Sequence, residues 1–384
     1  MAYSYYAQKF ADARIQHNIM AIVGNGFDIQ ALQDLGEPHR TTYTEFYEYL
    51  SRRRFDPSNP IFAKMGQLKA DGYSNWSDVE NAIADLAREQ MNEKSIRKAT
   101  KSIQLNFAEF LAQIARPEVL MRLGELSEQG QLARASLAGF LGDIEAAADY
   151  NSMYFSQTVN IGDILNFRFV NLNYTTLLDD YIYLGDTQFD PHPFGGSDRN
   201  FHFRPNPRGH INETLPNESA SFQMVCYLLS DVSHPHGVMY TPRSLLFGVD
   251  EATTGRINRL AKSYWGQSDI KYGSTFQEVT LFLIFGCSLG PTDGWWWRGI
   301  LYSMARNKWQ HLVIYEYTAP GHEQVKESVL ERLFRADVDT NLDDAAKRRI
   351  YSQTTVVFHG PDSPQLWLST SRDSLPEWAS SLTR

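Results

Sequence analysis

Short apolar runs that end at glycine or asparagine predict the β-strands of this chain. Three of them are NIMAIV (18–23), RFVNLN (168–173) and VTLFLIFG (279–286). Each is followed by a stretch compatible with a helix, and this alternation of strand, loop and helix is typical of an α/β sheet. Further strands are predicted for SLLFGV (244–249), HLVIYEY (311–317) and TTVVFHG (354–360). The pattern therefore predicts an α/β fold with about six strands, which is an ordinary sheet size.

Residues 52–150 have a different pattern, that of amphipathic helices. In NWSDVENAIADLAREQMN, apolar residues recur at spacings of four and three from Val79 to Leu86, and Ser77 or Asn75 stands where a helix cap belongs. The same pattern predicts two more helices, one from Ser95 up to Pro117 and one over LARASLAGFLGDIEAAADY (132–150).

We interpret residues 52–150 as a helical insertion, which leaves residues 1–51 and 151–384 for the α/β domain. The segment 185–221 is rich in Gly, Pro, Asn and Ser, with phenylalanines between them. A loop of this length in a compact domain is often a lid, a binding loop or a disordered segment.

Composition narrows the class of partner. The chain has 384 residues, a net charge of -9 and a pI near 5.6, which disfavours a broad basic surface for nucleic acid or anionic membrane. A small molecule is therefore the expected partner. Cys226 and Cys287 are the only cysteines, too few for a disulfide framework or a Cys-rich zinc site, so a cytoplasmic location is expected.

Two further segments bear on the location of the chain. The first residues, MAYSYYAQKFADARIQHN, have no apolar core of the kind that a signal peptide carries. The longest apolar run, VTLFLIFGC (279–287), is less than half of what a transmembrane helix requires. No membrane association is expected.

The sequence IVGNGFD places Gly24 and Gly26 directly after a predicted strand. Glycine lets the backbone turn sharply and approach a ligand, and the amides at the start of the next helix can then meet phosphate oxygens. The dinucleotide fingerprint also needs a third glycine and an acid about twenty residues further on, and neither is evident here. By itself, this turn fits a structural corner as well as it fits a phosphate site.

FVNLNYTTLLDDY places Asn173 at the carboxyl end of a predicted strand, where α/β folds position groups that contact ligands. The alternative is structural. Asn171 or Asn173 can cap the helix that follows, and for one isolated asparagine capping is the favoured interpretation.

SHPHGVMY contains His234 and His236 in a turn-rich stretch. A histidine here can act as a general base, and Gly237 would allow a ligand to approach closely. A surface histidine or a metal ligand is the alternative, although an H-x-H motif supplies only two ligands and we expect no metal site. Other histidines that could complete such a site are scattered along the chain: His192, His202 and His210.

FGCSLGPTDGWWW follows the strand at 279–286 and supplies Ser288 and Asp293. A hydroxyl and a carboxylate at a strand end can bind ribose hydroxyls, and Gly286 allows close approach. The structural alternative is that Asp293 caps a helix while Trp295–Trp297 pack in the core or form an oligomer contact.

The order and spacing of these weak motifs resemble the AbiH family of bacteriophage abortive-infection proteins. The resemblance runs from Ile22 to Asp293 and includes IVGNGFDIQ, TTYTEFYEYL, WSDVE, FVNLNYTTLLDDY, HPHG with LLFGVDE, and IFGCSLGPTD. The AbiH family is in turn similar to the sirtuin-like NAD-binding fold. The resemblance therefore implies a doubly wound, mostly parallel, Rossmann-like sheet.

The resemblance also implies a site for NAD. Gly24, Asn25 and Gly26 match the diphosphate turn, with Phe27 and Asp28 beside it. The groups that match the nicotinamide-ribose side are Asn173 and His236. Those that match the adenosine-ribose side are Gly286 and Ser288, and Asp293 is assigned to the same nucleotide site. Thr42 and Tyr43 match a segment that commonly lies over the nucleotide.

The function that the resemblance implies is phage defence by an NAD glycohydrolase, with NAD as the substrate. In that reaction His236 would act as base and Asn173 would position ribose and water. Sirtuin deacylases hold a zinc module with four cysteines, so two cysteines disfavour that activity. The main alternative is a nucleotide-binding sensor or scaffold without chemistry, and an NAD-dependent dehydrogenase is the weaker one.

Uncontrolled NAD hydrolysis would kill the host cell, so the implied activity must be gated. A homo-oligomer and a phage protein trigger, or a second defence subunit, are the expected partners. The helical insertion and GWWWRG (294–299) are the candidate contact surfaces.

Overall fold

The computed structural model describes residues 15–160, 162–182, 201–203, 224–249, 260–337, 341–373 and 375. Within these residues the strands form one sheet of seven in the order β3-β4-β2-β1-β5-β6-β7. Their bounds are β1 (Gln16–Val23), β2 (Ile164–Asn171), β3 (Phe201–Phe203), β4 (Met224–Ser233), β5 (Leu281–Phe285), β6 (His311–Tyr317) and β7 (Thr354–His359). The short edge strand β3 pairs antiparallel with β4, and every other pair is parallel.

Helices connect the strands and cover both faces of the sheet. Before β2 they are α1 (Gly26–Asp34), α2 (Tyr43–Arg52), α3 (Pro60–Ala70), α4 (Val79–Arg88), α5 (Glu93–Ile114), α6 (Pro117–Gly130), α7 (Leu132–Ala138), α8 (Ala147–Ser152) and α9 (Tyr154–Thr158). After β2 they are α10 (177–182), α11 (Lys262–Gly266), α12 (Ser268–Tyr272), α13 (Thr275–Glu278), α14 (Gly294–Arg306), α15 (Lys326–Phe334) and α16 (Asp344–Ser352). Across the described chain, none of these helices combines the length and the apolar character that a bilayer span requires.

Two apolar layers cover the sheet because the side chains of a strand alternate between its faces. In β1, Ile19, Ala21 and Val23 join one core, and Met20 and Ile22 join the other. Helices α1 to α7 and α10 contribute to the first core, and α14, α15 and α16 contribute to the second. The predicted doubly wound, mostly parallel, Rossmann-like sheet is therefore confirmed.

The predicted helical insertion packs on the first face of the sheet. Phe107 of α5 contacts Phe46 of α2 at a ring-centroid distance of 4.8 Å and Phe247 at 5.1 Å. These rings belong to the same apolar core as Ile19 of β1. The division into residues 52–150 and the flanking α/β segments stays a prediction, since a shared core neither establishes nor removes a domain boundary.

Five of the six predicted strands lie in the sheet, and one prediction is wrong. The segment 244–249 forms no strand: it begins with the last residue of a 3-10 turn (Pro242–Ser244), and Val249 forms only an isolated bridge to Ala261. Its apolar side chains are buried against the helical insertion. A loop that buries one of its sides has the same run of apolar residues as a strand, which is why the sequence predicted a strand here. Two strands were not predicted: β3, which lies within the segment 185–221, and β4, whose last four residues (SDVS) are mostly polar.

The helix boundaries also differ from the predictions. Asp78, rather than Ser77 or Asn75, caps α4, since its Oδ1 accepts hydrogen bonds from Glu80 N at 2.8 Å and Asn81 N at 3.2 Å. The helix predicted from Ser95 up to Pro117 is confirmed as α5, and α6 begins at Pro117. The helix predicted over 132–150 is two helices, α7 and α8, because the chain leaves helical geometry at Gly139. The loop predicted over 185–221 lies outside the described residues except for β3.

The backbone at Gly286 touches the turn after β1, and this contact generates a prediction. Gly286 has φ +66°, and a Cβ there would lie 2.8 Å from Gly26 Cα, whereas Gly36 has φ +68° with nothing within 4 Å. Gly36→Ala should cost only the left-handed strain of about 1–2 kcal/mol. Gly286→Ala should cost that strain plus the backbone collision, about 3 kcal/mol or more in the free energy of unfolding. Urea denaturation of the two variants measures the difference, and equal losses would contradict the contact.

Candidate functional site

A cavity of about 840 Å³ opens at the carboxyl ends of the parallel strands. Its lining includes residues that directly follow β1, β2 and β5 and the ends of β6 and β7. The chain order reverses between β1 and β5, and such a switch point is where α/β folds bind ligands. Ten of the residues predicted for the site line the cavity: Gly24, Asn25, Gly26, Asp28, Tyr43, Asn173, His236, Gly286, Ser288 and Asp293.

The glycine turn after β1 is packed against the end of β5. A Cβ at Gly24 would lie 2.7 Å from Gly286 O, and one at Gly26 would lie 2.5 Å from Gly286 Cα. The amides of this turn are also used, because Gly24 N donates to Phe285 O and Gly26 N donates to Gly286 O, both at 2.9 Å. The expectation that these amides stand ready for a phosphate is therefore wrong for Gly24 and Gly26. The glycines are required by the backbone contact.

Two of the predicted residues do not line the cavity. Phe27 is fully buried and packs edge-on against Tyr181 of α10, with ring centroids 5.6 Å apart. Thr42 caps α2, since its hydroxyl accepts a hydrogen bond from Glu45 N. Tyr43, the next residue, does line the cavity and packs against Phe107, with ring centroids 5.7 Å apart.

Asn173 is tied to the turn after β1 rather than to the helix that follows it. Its Nδ2 donates to Gly24 O at 3.1 Å and to Asp28 Oδ1 at 2.9 Å. Thr175 Oγ1 donates to the second oxygen of Asp28 at 2.6 Å. The capping interpretation of Asn173 is wrong, because its side chain joins the ends of β1 and β2. Burial raises the pKa of Asp28 to about 7, although the bonds from Thr175 and Asn173 oppose that shift.

His236 lies on the same side of the cavity as Asn173. Its Nδ1 lies 3.2 Å from the carbonyl oxygen of Leu172, to which it donates in the neutral tautomer, and its Nε2 lies 3.6 Å from Asp293 Oδ1. Burial and the charge of Lys262 lower the pKa of His236 to about 4, while Asp293 opposes the shift. The ring is therefore neutral at pH 7, with the lone pair on Nε2 and the Nδ1 proton on the Leu172 side.

Lys262, Glu80 and Asp293 form a buried charge cluster beside His236. Lys262 Nζ lies 2.7 Å from Glu80 Oε1 and 3.0 Å from Asp293 Oδ1. Burial raises the pKa of Glu80, and the positive charge of Lys262 does not offset it. Burial raises the pKa of Asp293 as well, but Lys262 and His236 bring it below its ordinary value. The cluster therefore places one ammonium between two buried carboxyl groups, and Lys262 favours the ionised form of both.

The other half of the cavity is lined by the ends of β6 and β7. Glu316 Oε1 lies 2.6 Å from Arg332 Nη2 of α15, and both residues line the cavity. His359, at the end of β7, stacks on Phe285 with ring centroids 5.3 Å apart. This half of the cavity thus carries a carboxylate, a guanidinium and aromatic rings.

The two histidines of the H-x-H motif do not act together. His234 Nε2 bonds to Asp179 Oδ1 of α10 at 2.8 Å, and His234 is not among the residues that line the cavity. In the described ranges, no group of three or more His, Cys, Asp or Glu side chains could hold a metal ion. His192 and His210 lie outside these ranges.

A family model described as "Bacteriophage abortive infection AbiH" matches residues 20–315 of the chain. The chain belongs to the AbiH family. Membership suggests a role in abortive-infection defence against phage. None of the curated proteins matches the chain. The match extends from β1 into β6, so Asn173, His236, Lys262 and Asp293 lie inside it, and Arg332 lies beyond its end.

Sequence reasoning missed Lys262, the ion-pair partner of Asp293 in this AbiH chain, and Glu80, the second acid that Lys262 contacts. Glu80 lies in WSDVE, a segment that the sequence analysis uses only as the start of a helix. Glu80 is buried in the first turn of α4, and a buried acid needs a partner. Lys262 has no comparable signal, since its burial follows from tertiary contacts alone. Asp293 stands at the N-cap position of α14 but makes no capping bond, so its capping interpretation is wrong.

The tryptophans that follow Asp293 are largely part of the core. Trp296 and Trp297 are buried in the second apolar layer, at 2% and 1% exposure. Trp295 is partly buried and donates from Nε1 to Asp269 Oδ1 at 2.8 Å. The packing interpretation is therefore confirmed for Trp296 and Trp297, which leaves little of GWWWRG for an oligomer contact.

The neutral state of His236 makes the fold sensitive to acid at this position. A histidine takes up a proton near pH 6.5 when unfolded but only near pH 4 here, so the folded state loses stability as the pH falls between these values. Between pH 7 and pH 5 the loss from this ring is about 2 kcal/mol. His236→Gln, which removes the titration, should lose about that much less over the same interval. Urea titrations of both proteins at the two pH values measure this, and identical pH dependence would refute it.

The charge cluster generates a second prediction at this site. Lys262→Met leaves two carboxyl groups in a buried place without their cation and should cost about 3–5 kcal/mol in the free energy of unfolding. Lys64→Met is the matched control, because its partner Glu89 is 56% exposed and stays hydrated, and it should cost about 0–1 kcal/mol. Adding Glu80→Gln to Lys262→Met should restore part of the stability. Thermal and urea unfolding distinguish these outcomes, and an equal cost for the two lysines would argue against a coupled cluster.

Proposed function

We propose that this chain binds NAD along the cavity and hydrolyses the bond between nicotinamide and ribose, as an effector of phage defence. One observation carries the proposal. Asn173, His236, the Gly24–Gly26 turn and Gly286 come from four distant segments of the chain and line a single cavity at the switch point of a doubly wound sheet. We include in the proposal that the sheet is of the sirtuin-like type, which the order of these segments supports.

The dimensions of the cavity suit a dinucleotide. A volume of about 840 Å³ lies within the range of cofactor and small-molecule sites. The strand ends along its length belong to β2, β1, β5, β6 and β7, and four strand spacings amount to about 19 Å. The nicotinamide ribose would lie at the β2 end, beside Asn173 and His236, and the adenosine at the β6 and β7 end, beside Glu316.

The diphosphate would lie over the turn between β1 and α1. The amides of Gly24 and Gly26 donate hydrogen bonds within the fold. These glycines would therefore serve the diphosphate only by allowing it to approach the backbone closely. Gly26, the first residue of α1, lines the cavity, and the positive end of the helix dipole favours an anion there. Ser288, which follows the end of β5, supplies a hydroxyl on the adenosine side of that anion.

The proposed reaction transfers the ribose to water. The C1′–N1 bond breaks, its electron pair neutralises the pyridinium ring, and nicotinamide leaves without needing a proton. The ribose then carries oxocarbenium character, as in glycoside hydrolysis, and water adds to C1′ while losing one proton. The products are nicotinamide, ADP-ribose and that proton.

His236 is proposed to take the proton at Nε2. Its Nδ1 donates to Leu172 O, which fixes both the tautomer and the orientation of the ring. A pKa of about 4 makes it a weak base, but bond breaking runs ahead of water attack in an oxocarbenium-like transition state, so the water needs little activation. The ionised Asp293, 3.6 Å from Nε2, would stabilise both the imidazolium and the positive charge on the ribose.

Hydrolysis must be gated in the cell, and we propose that self-association or a phage component provides the gate. The carboxylate of Asp293 is held by Lys262, which is in turn held by Glu80 of α4. A movement of the predicted insertion would therefore shift Lys262 and, through it, Asp293. This connection is the route by which binding of a partner to the insertion could change activity.

The second candidate is a nucleotide-binding module that does no chemistry. It is favoured by one observation, the low pKa of His236, which makes the ring a poor proton acceptor at neutral pH. Such a module would retain its nucleotide intact through purification.

The test of the proposal is to incubate the purified full chain with NAD and to measure nicotinamide release by chromatography, for each oligomeric form and with phage lysate added. Release should fall by about 100-fold or more in His236→Ala and in Asn173→Ala, since each removes a group that acts on the reacting ribose. His39→Ala is the matched control, because His39 is an exposed residue whose ring bonds to Glu45 outside the cavity.

The outcomes separate the two candidates. Nicotinamide release that depends on His236 and Asn173 supports the hydrolase. If the nucleotide stays bound and intact, and no form of the protein releases nicotinamide, the hydrolase is wrong and the binding module is supported. No binding of NAD at all overturns both.

A further inference from the structure

We propose that Asp28 is a positioning residue that fixes the amide of Asn173 so that its oxygen faces the nucleotide. The inference rests on the proposed function, whose ribose-binding wall it specifies. It changes the part that the sequence assigns to Asp28, from a nucleotide contact to a support for Asn173. It also states which chemical groups Asn173 can bind.

The orientation of the amide follows from its two neighbours. One terminal atom of the Asn173 side chain lies 3.1 Å from Gly24 O and 2.9 Å from Asp28 Oδ1. A carbonyl oxygen and a carboxylate oxygen both accept hydrogen bonds, so the atom between them must be the nitrogen, and a flipped amide would set three acceptors against one another. Both hydrogens of the amide are then used, and only its oxygen is left for the cavity that Asn173 lines.

The carboxylate of Asp28 is itself held in place. Thr175 Oγ1 donates to its second oxygen at 2.6 Å, and the residue is 0% exposed. Although Asp28 borders the cavity, Asn173 and Thr175 occupy its two oxygens, so neither oxygen is open to a nucleotide. The effect of Asp28 on a ligand must therefore pass through Asn173.

The backbone of Asn173 is fixed by a second chain of bonds. Asn171 Oδ1 accepts from Asn173 N at 3.0 Å, and Asn171 Nδ2 donates to Asp179 Oδ2 at 3.3 Å. Asp179 in turn bonds to His234 at 2.8 Å. Asn173 is thus oriented by the fold before any ligand arrives, which removes the entropic cost of ordering it during the reaction.

An outward-facing oxygen restricts what Asn173 can bind. It can accept a hydrogen bond from a ribose hydroxyl or from water, and it repels a phosphate oxygen. The geometry therefore assigns a hydroxylated, uncharged part of the substrate to the wall near β2, and leaves the diphosphate to the region of the α1 N-terminus.

The first experiment compares steady-state kinetics of NAD hydrolysis for two variants of Asp28. Asp28→Ala removes the acceptor, so kcat should fall by about 10-fold or more while KM changes by about 3-fold or less. Asp28→Asn should stay within about 3-fold of the wild type, because its oxygen can accept from Asn173 while its amino group donates to Thr175 Oγ1. The control is Asp163→Ala, which removes an equally buried carboxylate at the amino end of β2, away from the cavity, where it bonds to His17, and should leave kcat unchanged.

A second measurement does not depend on hydrolysis. By calorimetry, the wild type should bind ADP-ribose more tightly than ADP, and Asp28→Ala should lose that preference while its affinity for ADP stays within about 3-fold. A third measurement needs no nucleotide. The side-chain amide signal of Asn173, identified by its absence in Asn173→Asp, should exchange slowly with solvent in the wild type and at least about 10-fold faster in Asp28→Ala.

The outcomes separate this inference from the proposed function. If the wild type neither hydrolyses nor binds these nucleotides, the proposed function fails, and slow exchange that depends on Asp28 still supports the positioning of Asn173. Unchanged kcat, nucleotide preference and amide exchange in a folded Asp28→Ala would overturn the inference. It would also be overturned if Asp28→Asn were as impaired as Asp28→Ala, because the charge of Asp28 rather than its hydrogen bond would then be required.

Discussion

The structure depends on the close contact between the turn after β1 and the end of β5. Gly24 and Gly26 lie so near to Gly286 that a Cβ on any of the three would collide with backbone atoms, and the amides of Gly24 and Gly26 are bonded to carbonyls at the end of β5. This contact brings two strand ends together at the switch point and forms the middle of the cavity. Asn173 is positioned relative to it through its hydrogen bond to Gly24 O.

Around that contact, the fold stabilises polar groups that would be costly to bury alone. Asn173 and Thr175 share the carboxylate of Asp28, and Lys262 lies between Glu80 and Asp293. Each arrangement satisfies its members through partners from distant parts of the chain. The same bonds that offset the cost of burial also set the orientation and the protonation of the groups that face the cavity, so stability and chemistry are coupled here.

The arrangement divides the proposed site into two halves with different properties. Near β2, the wall includes a neutral imidazole, an amide oxygen and the carboxylate of Asp293, which suits a ribose that becomes positively charged. Near β6 and β7, Glu316, Arg332 and the aromatic rings suit a nucleoside. Since Glu80 belongs to the predicted insertion, the reactive half is also the half that a partner could influence.

The sequence alone determined the five central and neighbouring parallel strands, because strands that are buried on both faces carry their apolar pattern locally. It therefore predicted β1, β2, β5, β6 and β7 and the glycine turn, and ten of the twelve residues that it assigned to the site line the cavity. It failed where the pattern was ambiguous, at the buried loop over 244–249 and at the polar-ended β4. The tertiary structure decided which atoms Asn173 exposes, why the glycines are needed, and which cation accompanies Asp293. These depend on contacts between residues far apart in the chain, and such contacts leave no periodic signal in the sequence.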